Sequence, residues 1–508
     1  MSTAGSLEKR VEDFVSWLFV DFKPRVPRRD KVINDSLLGN QYFAQHEVAV
    51  IDTPLFQRLK RIKQTGLVYH VFPSATHSRF EHSLGVATLA ERCFDAIRNR
   101  FQVEERKTFP ADPDRLSGDL AHLRMAGLLH DVGHGLCSHA AEQIYTAFSD
   151  LREFKNQPRF TKNHPGEILS YLIITSPTFR AWFEEIVVKA CGARIDLDVV
   201  AEMVLGKHRD PELYFLAQII SSPFDADKLD YIARDSYYCG LALTVDLGRF
   251  YSMIATAKVE NYRVLALRTY VPLEQILFSR MILFSSVYQH QKVKCLDAML
   301  RAVIKHIIDN PDQCAVTIRG KKIAFAEPVQ YLYLTDDEFF NTIGGFGDEY
   351  VKKMLARFAR RELFYRCIEV SRATVKNWES YHRKTLTNWS ADGLLLEGIE
   401  NEIHKRLKES TRSSCNRGDI RFSVPGPPTL KSDFAYVQAE PGGLVEPVEE
   451  YFPIEQWTEA YAHNKWRSFV YAPREIAAEV AEAATSVLAD KSIEIDRSKS
   501  DGRCKLRL

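Results

Sequence analysis

Residues 124–135 read Arg-Met-Ala-Gly-Leu-Leu-His-Asp-Val-Gly-His-Gly. An apolar run at helical spacing ends in His130 and Asp131 side by side, followed by Gly133, His134 and Gly135. Neighbouring side chains on a helix diverge by about 100°, so the pair can converge on one point only where the helix stops. The glycines let other groups approach closely there. A bare His-Asp dipeptide carries almost no information. The longer string at a helix end is rarer and reads as half of a metal site.

Two further stretches offer the remaining donors. His82 lies in Arg-Phe-Glu-His-Ser-Leu-Gly, residues 79–85, and Asp227 lies in Asp-Ala-Asp-Lys-Leu-Asp-Tyr-Ile-Ala-Arg-Asp, residues 225–235. Two imidazoles and two carboxylates make a mixed nitrogen and oxygen site. Such a site suits a borderline or hard divalent ion (Zn, Fe, Mn, Mg or Ni) and leaves positions for water or phosphate. Taken alone, His82 reads more simply as a core histidine; the three segments together favour the metal. Glu81 is the nearest candidate to orient a ligand, on adjacency alone.

The chain has 508 residues, enough for two to four domains and a sizeable core. With 45% hydrophobic and 27% charged residues it reads as an ordinary globular protein. Lys and Arg total 68 against 67 Asp and Glu, a net charge of +1. Global charge therefore supports neither a nucleic-acid nor a membrane partner, and any anion site must be local. Nine cysteines without a CxxC pair fit a reducing compartment better than disulfides or a structural zinc module. The N-terminus lacks the pattern of a signal peptide, and no long apolar run suggests a membrane span. A soluble cytoplasmic protein is the expectation.

Hydrophobic spacing predicts a mainly α protein, with a helical core and a smaller C-terminal α+β lobe. Residues 1–30 form a lead, a helix at 8–22 and the connector Pro-Arg-Val-Pro-Arg-Arg, residues 24–29, read as a solvated linker. Residues 31–310 form the core. Helices are expected from Thr53, with Pro54 in the first turn, and over 79–98, 119–132, 138–148, 165–175, 199–207 and 223–236. A strand follows at 262–269 and one long helix at 272–309. Helical spacing places Asp227, Tyr231 and Asp235 roughly on one face, with Lys228 beside it. Residues 311–508 form the lobe, with strands at 363–370, 420–424 and 466–471, helices at 348–361, 395–409 and 474–489, and a frayed charged tail from 491.

These segments resemble the HD-domain phosphohydrolase superfamily, whose ligands run H…HD…D. Lys-Val-Ile-Asn-Asp at 31–35, Ile-Asp-Thr-Pro-Leu-Phe-Gln-Arg-Leu-Lys-Arg-Ile-Lys-Gln at 51–64, Val-Phe-Pro-Ser-Ala-Thr-His at 71–77 and Tyr-Gln-His-Gln-Lys at 288–292 narrow the likeness. They are similar to the SAM-and-HD-domain deoxynucleotide triphosphohydrolases and their microbial relatives. The likeness runs over about 31–308, and no SAM domain is expected in the short lead.

The resemblance implies metal-dependent cleavage of a deoxynucleoside triphosphate to deoxynucleoside and triphosphate. It implies a metal on His82, His130, Asp131 and Asp227, and His134, His139 and His164 around the α-phosphate and leaving 5′ oxygen. Arg79, Lys228, Tyr231 and Arg280 would face the outer phosphates, Gln64 and Asp235 the sugar 3′-hydroxyl, and Tyr288 the underside of the sugar. Lys31, Val32, Asn34, Asp52, Arg58 and Lys60 match a regulatory nucleotide site between subunits. That implies a homo-oligomer, dimer or tetramer, with GTP or a dNTP as activator. The sequence departs from the family at Pro165, where an acidic residue is usual, leaving Glu167 as the nearby carboxylate, and at Thr65, where the mammalian relative is bulkier. Two rival readings remain open. One is an HD phosphohydrolase for nucleoside monophosphates or cyclic nucleotides. The other is a nucleotide-sensing or single-stranded nucleic-acid-binding protein with a vestigial site.

Overall fold

Three helices frame the expected metal site: Arg79–Glu104, Pro113–Leu129 and Ala226–Tyr238. The first buries Val86, Ala87, Leu89 and Ala90, and the second Leu123, Met125, Ala126 and Leu128, on their packed faces. Gly127 sets their separation, because a Cβ there would sit 2.8 Å from the Ala87 Cα. Gly85 does the same for the third helix. A Cβ at Gly85 would lie 2.0 Å from Asp230 Oδ1 and 2.7 Å from Arg234 Nη2. Asp225 caps that helix, its Oδ1 accepting from the Lys228 N–H at 2.7 Å.

The computed structural model describes residues 4–104, 113–138, 148–243, 245–342, 347–391, 393–426 and 435–504. Most of the helix expected at 138–148, including His139, lies outside the described residues. The chain divides into two compact units. The first comprises residues 1–283, 327–338 and 430–454, and the second 284–326, 339–429 and 455–508. The single cut expected near 310 is thus drawn differently, since two later segments return to the first unit. Tyr436–Val437 runs parallel to Tyr262–Leu267, which pairs antiparallel with Ile254–Val259 and completes a mixed sheet. No described helix is long and apolar enough to cross a membrane.

The N-terminal helix spans Ala4–Phe19, earlier than expected, and buries Leu7, Val11, Phe14 and Val15 at three- and four-residue spacing. Helix after helix was expected from residue 31; instead Lys31–Asp35 and Gly39–Phe43 form an antiparallel hairpin. Its turn is held by Asp35 Oδ1, which accepts from the N–H groups of Leu37 and Leu38 at 2.9 and 2.8 Å, and by Gly39 at φ +73°. Period-2 burial of Gln41 and Phe43 against exposed Tyr42 is the strand signal. Thr53 does cap the short helix Pro54–Gln57, accepting from the Phe56 N–H at 3.2 Å.

The long helix expected at 272–309 is broken. Val271–Leu283 is followed by a π turn at Phe284–Tyr288, and His290 Nδ1 accepts from the Lys292 N–H to start Gln291–Asp309 afresh. In the second unit, Ser468–Ala472 lies between Tyr365–Val370 and Arg421–Ser423, antiparallel to both. The core behind it includes Ile368, Val470, Phe422, Val480 and Val487. The tail from 491 is not frayed throughout: Arg497–Cys504 is helical, and the buried Ser500 Oγ accepts from the Glu369 N–H at 3.1 Å.

The Gly85 contact yields a test. Gly85→Ala must push the Asp230 carboxylate or the helix aside, and overpacking of this kind costs about 3 kcal/mol. Chemical denaturation should show a clear fall in unfolding midpoint, while an unchanged midpoint would contradict the close approach.

Candidate active site

The Pro113–Leu129 helix ends one residue before His130, so the His-Asp pair sits on the following turn and escapes helical divergence. Two outside groups clamp that turn. Ser170 Oγ donates to the His130 carbonyl at 2.6 Å and accepts from the Gly133 N–H at 2.8 Å. Arg58 Nη2 donates to the carbonyls of Val132 and His134 at 2.8 and 2.7 Å. Gly133 is required here because a Cβ would meet Ser170 N at 2.2 Å and Gly166 O at 2.4 Å.

The expected ligands converge. His82 Nε2 lies 3.0 Å from Asp227 Oδ1, 3.3 Å from His130 Nε2 and 3.7 Å from Asp131 Oδ2. His130 Nε2 lies 3.4 Å from Asp131 Oδ1 and 4.0 Å from Asp227 Oδ1. Bonds of about 2.0–2.2 Å to one ion place neighbouring donors roughly 3.0–3.5 Å apart. His82–Asp227, His82–His130 and His130–Asp131 fall in that range, and His82–Asp131 and His130–Asp227 exceed it by a few tenths of an ångström, so a small adjustment of the donors lets the set fit a divalent cation. Charge agrees: Arg79 faces Asp131 and Arg234 faces Asp35 and Asp230, while Asp227 faces only the imidazoles of His82 and His130, so these four carboxylates outnumber the two guanidiniums by two.

Asp230, not Glu81, orients His82. Its Oδ2 lies 2.8 Å from His82 Nδ1, which turns Nε2 toward the other donors. Arg234 holds Asp230 through Nε and Nη2 at 2.8 and 2.9 Å and reaches Asp35 at 2.7 Å. Glu81 instead takes the Ser78 N–H and hydroxyl at the start of its helix. The signal for Asp230 was present in the sequence, because Asp227, Asp230 and Arg234 fall at i, i+3 and i+7 on one helical face.

The other expected residues are placed unevenly. Arg79 donates to Asp131 and, at 2.9 Å, to Ser138 Oγ, while its buried Nη2 has no partner among the described residues. The buried Gln64 Oε1 and Thr65 Oγ1 are likewise unpartnered. Asp235 Oδ1 lies 2.7 Å from His77 Nε2, a contact the sequence reading did not foresee. His134 Nε2 lies 3.1 Å from Asp131 Oδ1. His164 is exposed at the start of Pro165–Ile174, and Glu167 accepts from its backbone N–H and from Asn163 Nδ2. Burial pushes the Glu167 carboxyl up, against the Asn163 hydrogen bond.

Lys228 Nζ donates to Asp225 Oδ2 at 2.7 Å, and its charge and that of Arg280 both act on Tyr231. Burial lowers Lys228, but the Asp225 and Asp227 carboxylates outweigh it and hold the ammonium up. Tyr288 belongs to the second unit, on the π turn. Of the regulatory set, Lys31 Nζ meets Asp52 Oδ2 at 2.7 Å on the surface. Val32 and Asn34 share the Lys31–Asp35 strand, with Asn34 Nδ2 donating to Asn40 Oδ1, and Lys60 Nζ sits 4.5 Å from the centre of the Phe80 ring. Arg58, expected at the regulatory nucleotide site, is buried with its Nη2 on the carbonyls of Val132 and His134.

A residue from far along the chain closes the network. Asp336, buried, accepts from the Cys137 N–H at 2.6 Å and the Lys63 N–H at 2.9 Å, and Ser138 Oγ donates to the Lys63 carbonyl at 2.7 Å. It thus links the segment carrying Gln64 to the one carrying Ser138, whose Oγ accepts from Arg79. Burial drives its carboxyl up to about 6, against the two backbone donors.

Burial alone pushes the His82 imidazole down, but hydrogen bonds to Asp227 and Asp230 and the charges of Asp230 and Asp131 raise it to about 10. At neutral pH His82 is therefore protonated without a cation, and an ion must displace that proton. Metal affinity should rise by about tenfold per pH unit below that value. Calorimetry in buffers of different ionisation enthalpy should detect release of about one proton; pH-independent binding would contradict this. Asp230→Asn should weaken binding by roughly 10–100-fold, read by metal titration.

Comparison with known proteins agrees with this geometry. The HD domain profile matches residues 79–235, and the HD associated region profile matches residues 245–499. A deoxynucleoside triphosphate triphosphohydrolase SAMHD1 homolog of Dictyostelium discoideum is 30% identical over 280 residues, covering 54% of this chain and 48% of the relative. The deoxynucleoside triphosphate triphosphohydrolase SAMHD1 of Homo sapiens is 29% identical over 339 residues, covering 62% and 50%. An uncharacterized protein of Methanocaldococcus jannaschii is 26% identical over 460 residues, covering 89% and 81%. The chain spans about half the length of these two triphosphohydrolases. With an HD domain followed by an HD associated region, and with His82, His130 and Asp227 gathered at one point, the chain belongs to the HD-domain family.

Proposed function

We propose that the protein is a metal-dependent hydrolase that cleaves a deoxynucleoside triphosphate to deoxynucleoside and inorganic triphosphate. The observation that carries this reading is the approach of His82, His130, Asp131 and Asp227 to one another beside a guanidinium, Arg79, with a buried N–H unpartnered among the described residues. The names of the triphosphohydrolase relatives support the substrate class.

In this reading the four residues would hold a divalent ion, which when bound supplies Lewis acidity toward an α-phosphate oxygen and a water. Arg79 Nη2 donates to a phosphate oxygen while Nη1 keeps Asp131 in place. Lys228, Tyr231 and Arg280 offset the charge of the outer phosphates. Gln64 Oε1 accepts from a sugar hydroxyl, with Asp235 on the face of the same helix as Asp227. Water attacks the α-phosphorus, the bond from phosphorus to the 5′ oxygen breaks, and that oxygen takes up a proton. His134 is held against Asp131 and His164 is exposed beside Glu167, so both are suited to hold or deliver that proton, with His139 as a third imidazole. A GTP- or dNTP-activated oligomer using Lys31, Asp52 and their neighbours belongs to the same proposal, supported by the exposed Lys31–Asp52 pair on the hairpin side.

One observation favours a second reading, hydrolysis of a monophosphate or cyclic nucleotide. Lys228 is engaged by Asp225, which removes part of its charge from any outer phosphate. Product analysis separates the two. Purified protein with manganese should release triphosphate from dGTP or a related nucleotide, and orthophosphate or pyrophosphate release would sink the reaction assignment. Asp131→Ala should abolish turnover. Arg280→Ala should raise KM for triphosphates by about tenfold, corresponding to about 1.4 kcal/mol of lost binding, and leave a monophosphate substrate unaffected.

A further inference from the structure

Away from the HD-type donors, one more set of metal-type side chains comes together among the described residues. His306, Cys314 and Asp348 all belong to the second unit, and one donor atom of each lies within 4.8 Å of the others. They come from three places in the chain. His306 sits in the last turn of Gln291–Asp309, Cys314 in the loop beyond it, and Asp348 at the N-cap of Glu349–Arg360. His306 Nε2 is 3.1 Å from Asp348 Oδ1, and that oxygen also accepts from the Val351 N–H at 3.0 Å, which fixes its direction. Cys314 is fully buried and its N–H donates to the Asn310 carbonyl at 3.2 Å.

Simpler readings exist for the parts. A His–Asp pair at a helix cap needs no metal, and a buried cysteine is often only a small apolar residue. Neither accounts for the thiol arriving at the same point as the imidazole and the carboxylate. We infer that His306, Cys314 and Asp348 form a second divalent-cation site, of the zinc class and separate from the HD-type centre. A thiolate, an imidazole and a carboxylate together select zinc over magnesium, calcium or manganese. Zinc bonds of about 2.0–2.3 Å place such donors roughly 3.3–3.8 Å apart, and the donors need move only a few tenths of an ångström to meet that spacing where it is known, between His306 and Asp348. Three protein donors leave a fourth position for water, and partial exposure of His306 and Asp348, 24% and 12%, gives the ion a way in. Once bound, the ion staples the end of one helix to the start of another at the base of the hairpin Val316–Ile318 and Lys321–Ile323.

Sulfur makes the site separable from the HD-type centre, whose donors are nitrogen and oxygen alone. Cobalt(II) serves as the probe, since thiolate coordination adds a near-ultraviolet charge-transfer band. The full-length protein loaded with cobalt should show that band, His82→Ala should keep it, and Cys314→Ser should lose it. His306→Gln should weaken cobalt binding at this site at least tenfold, and it provides the reading if Cys314→Ser fails the circular-dichroism check for folding. Absence of the band in cobalt-loaded protein, or its persistence in Cys314→Ser, overturns the assignment.

Discussion

A buried line of charge, His82 to Asp230 to Arg234 to Asp35, underlies the rest of the molecule's first unit. It joins three stretches of chain far apart in sequence: the Lys31–Asp35 strand, the helix that carries His82 and the helix that carries Asp227. Every member is almost wholly out of water. Charges in that position persist only when each is paired and hydrogen-bonded, so the three elements cannot shift independently. The imidazole of His82 is thereby held with one nitrogen on Asp230 and the other toward Asp227, His130 and Asp131. The same constraint explains Gly85, whose missing side chain is the space that the carboxylate of Asp230 occupies.

The second half of the centre depends on ending a helix in the right place. Leu129 is the last helical residue, and the turn after it is gripped by Arg58 and Ser170 through backbone atoms alone. The grip itself does not use the side chain of Val132, which is buried in the core, whereas at Gly133 the neighbouring backbone leaves no room for a side chain. Asp336 extends the same logic, because its carboxylate satisfies two N–H groups on separate loops that carry Gln64 and lead to Ser138 and Arg79. Burial outweighs the two backbone donors and raises that carboxyl to about 6.

Much of this was readable before any coordinates. Residue types and the stop of an apolar periodic run singled out His130 and Asp131, and the H…HD…D resemblance joined His82 and Asp227 to them as candidate donors. The strands at Tyr365–Val370, Arg421–Ser423 and Ser468–Ala472 and the helix Glu349–Arg360 fall where their patterns place them. The failures share a cause. The hairpin at Lys31–Asp35, the break between Leu283 and Gln291 and the helix Arg497–Cys504 are short elements whose local signals are weak and whose partners lie elsewhere in the chain. The burial of Arg58 was not legible, because a guanidinium's destination is set by distant carbonyls, here those of Val132 and His134, which have no signature in sequence.

By itself, the sequence determined that candidate donors of the nitrogen and oxygen kind are present and that a helix end would present two of them together. Those are properties of residue type and local spacing. Only the tertiary structure decided that Asp230 rather than Glu81 steers His82, that Asp336 ties the loops around Arg79, and that His306, Cys314 and Asp348 meet. Each of these depends on side chains from separate segments arriving within hydrogen-bonding or ligating distance, and long-range packing alone brings them there.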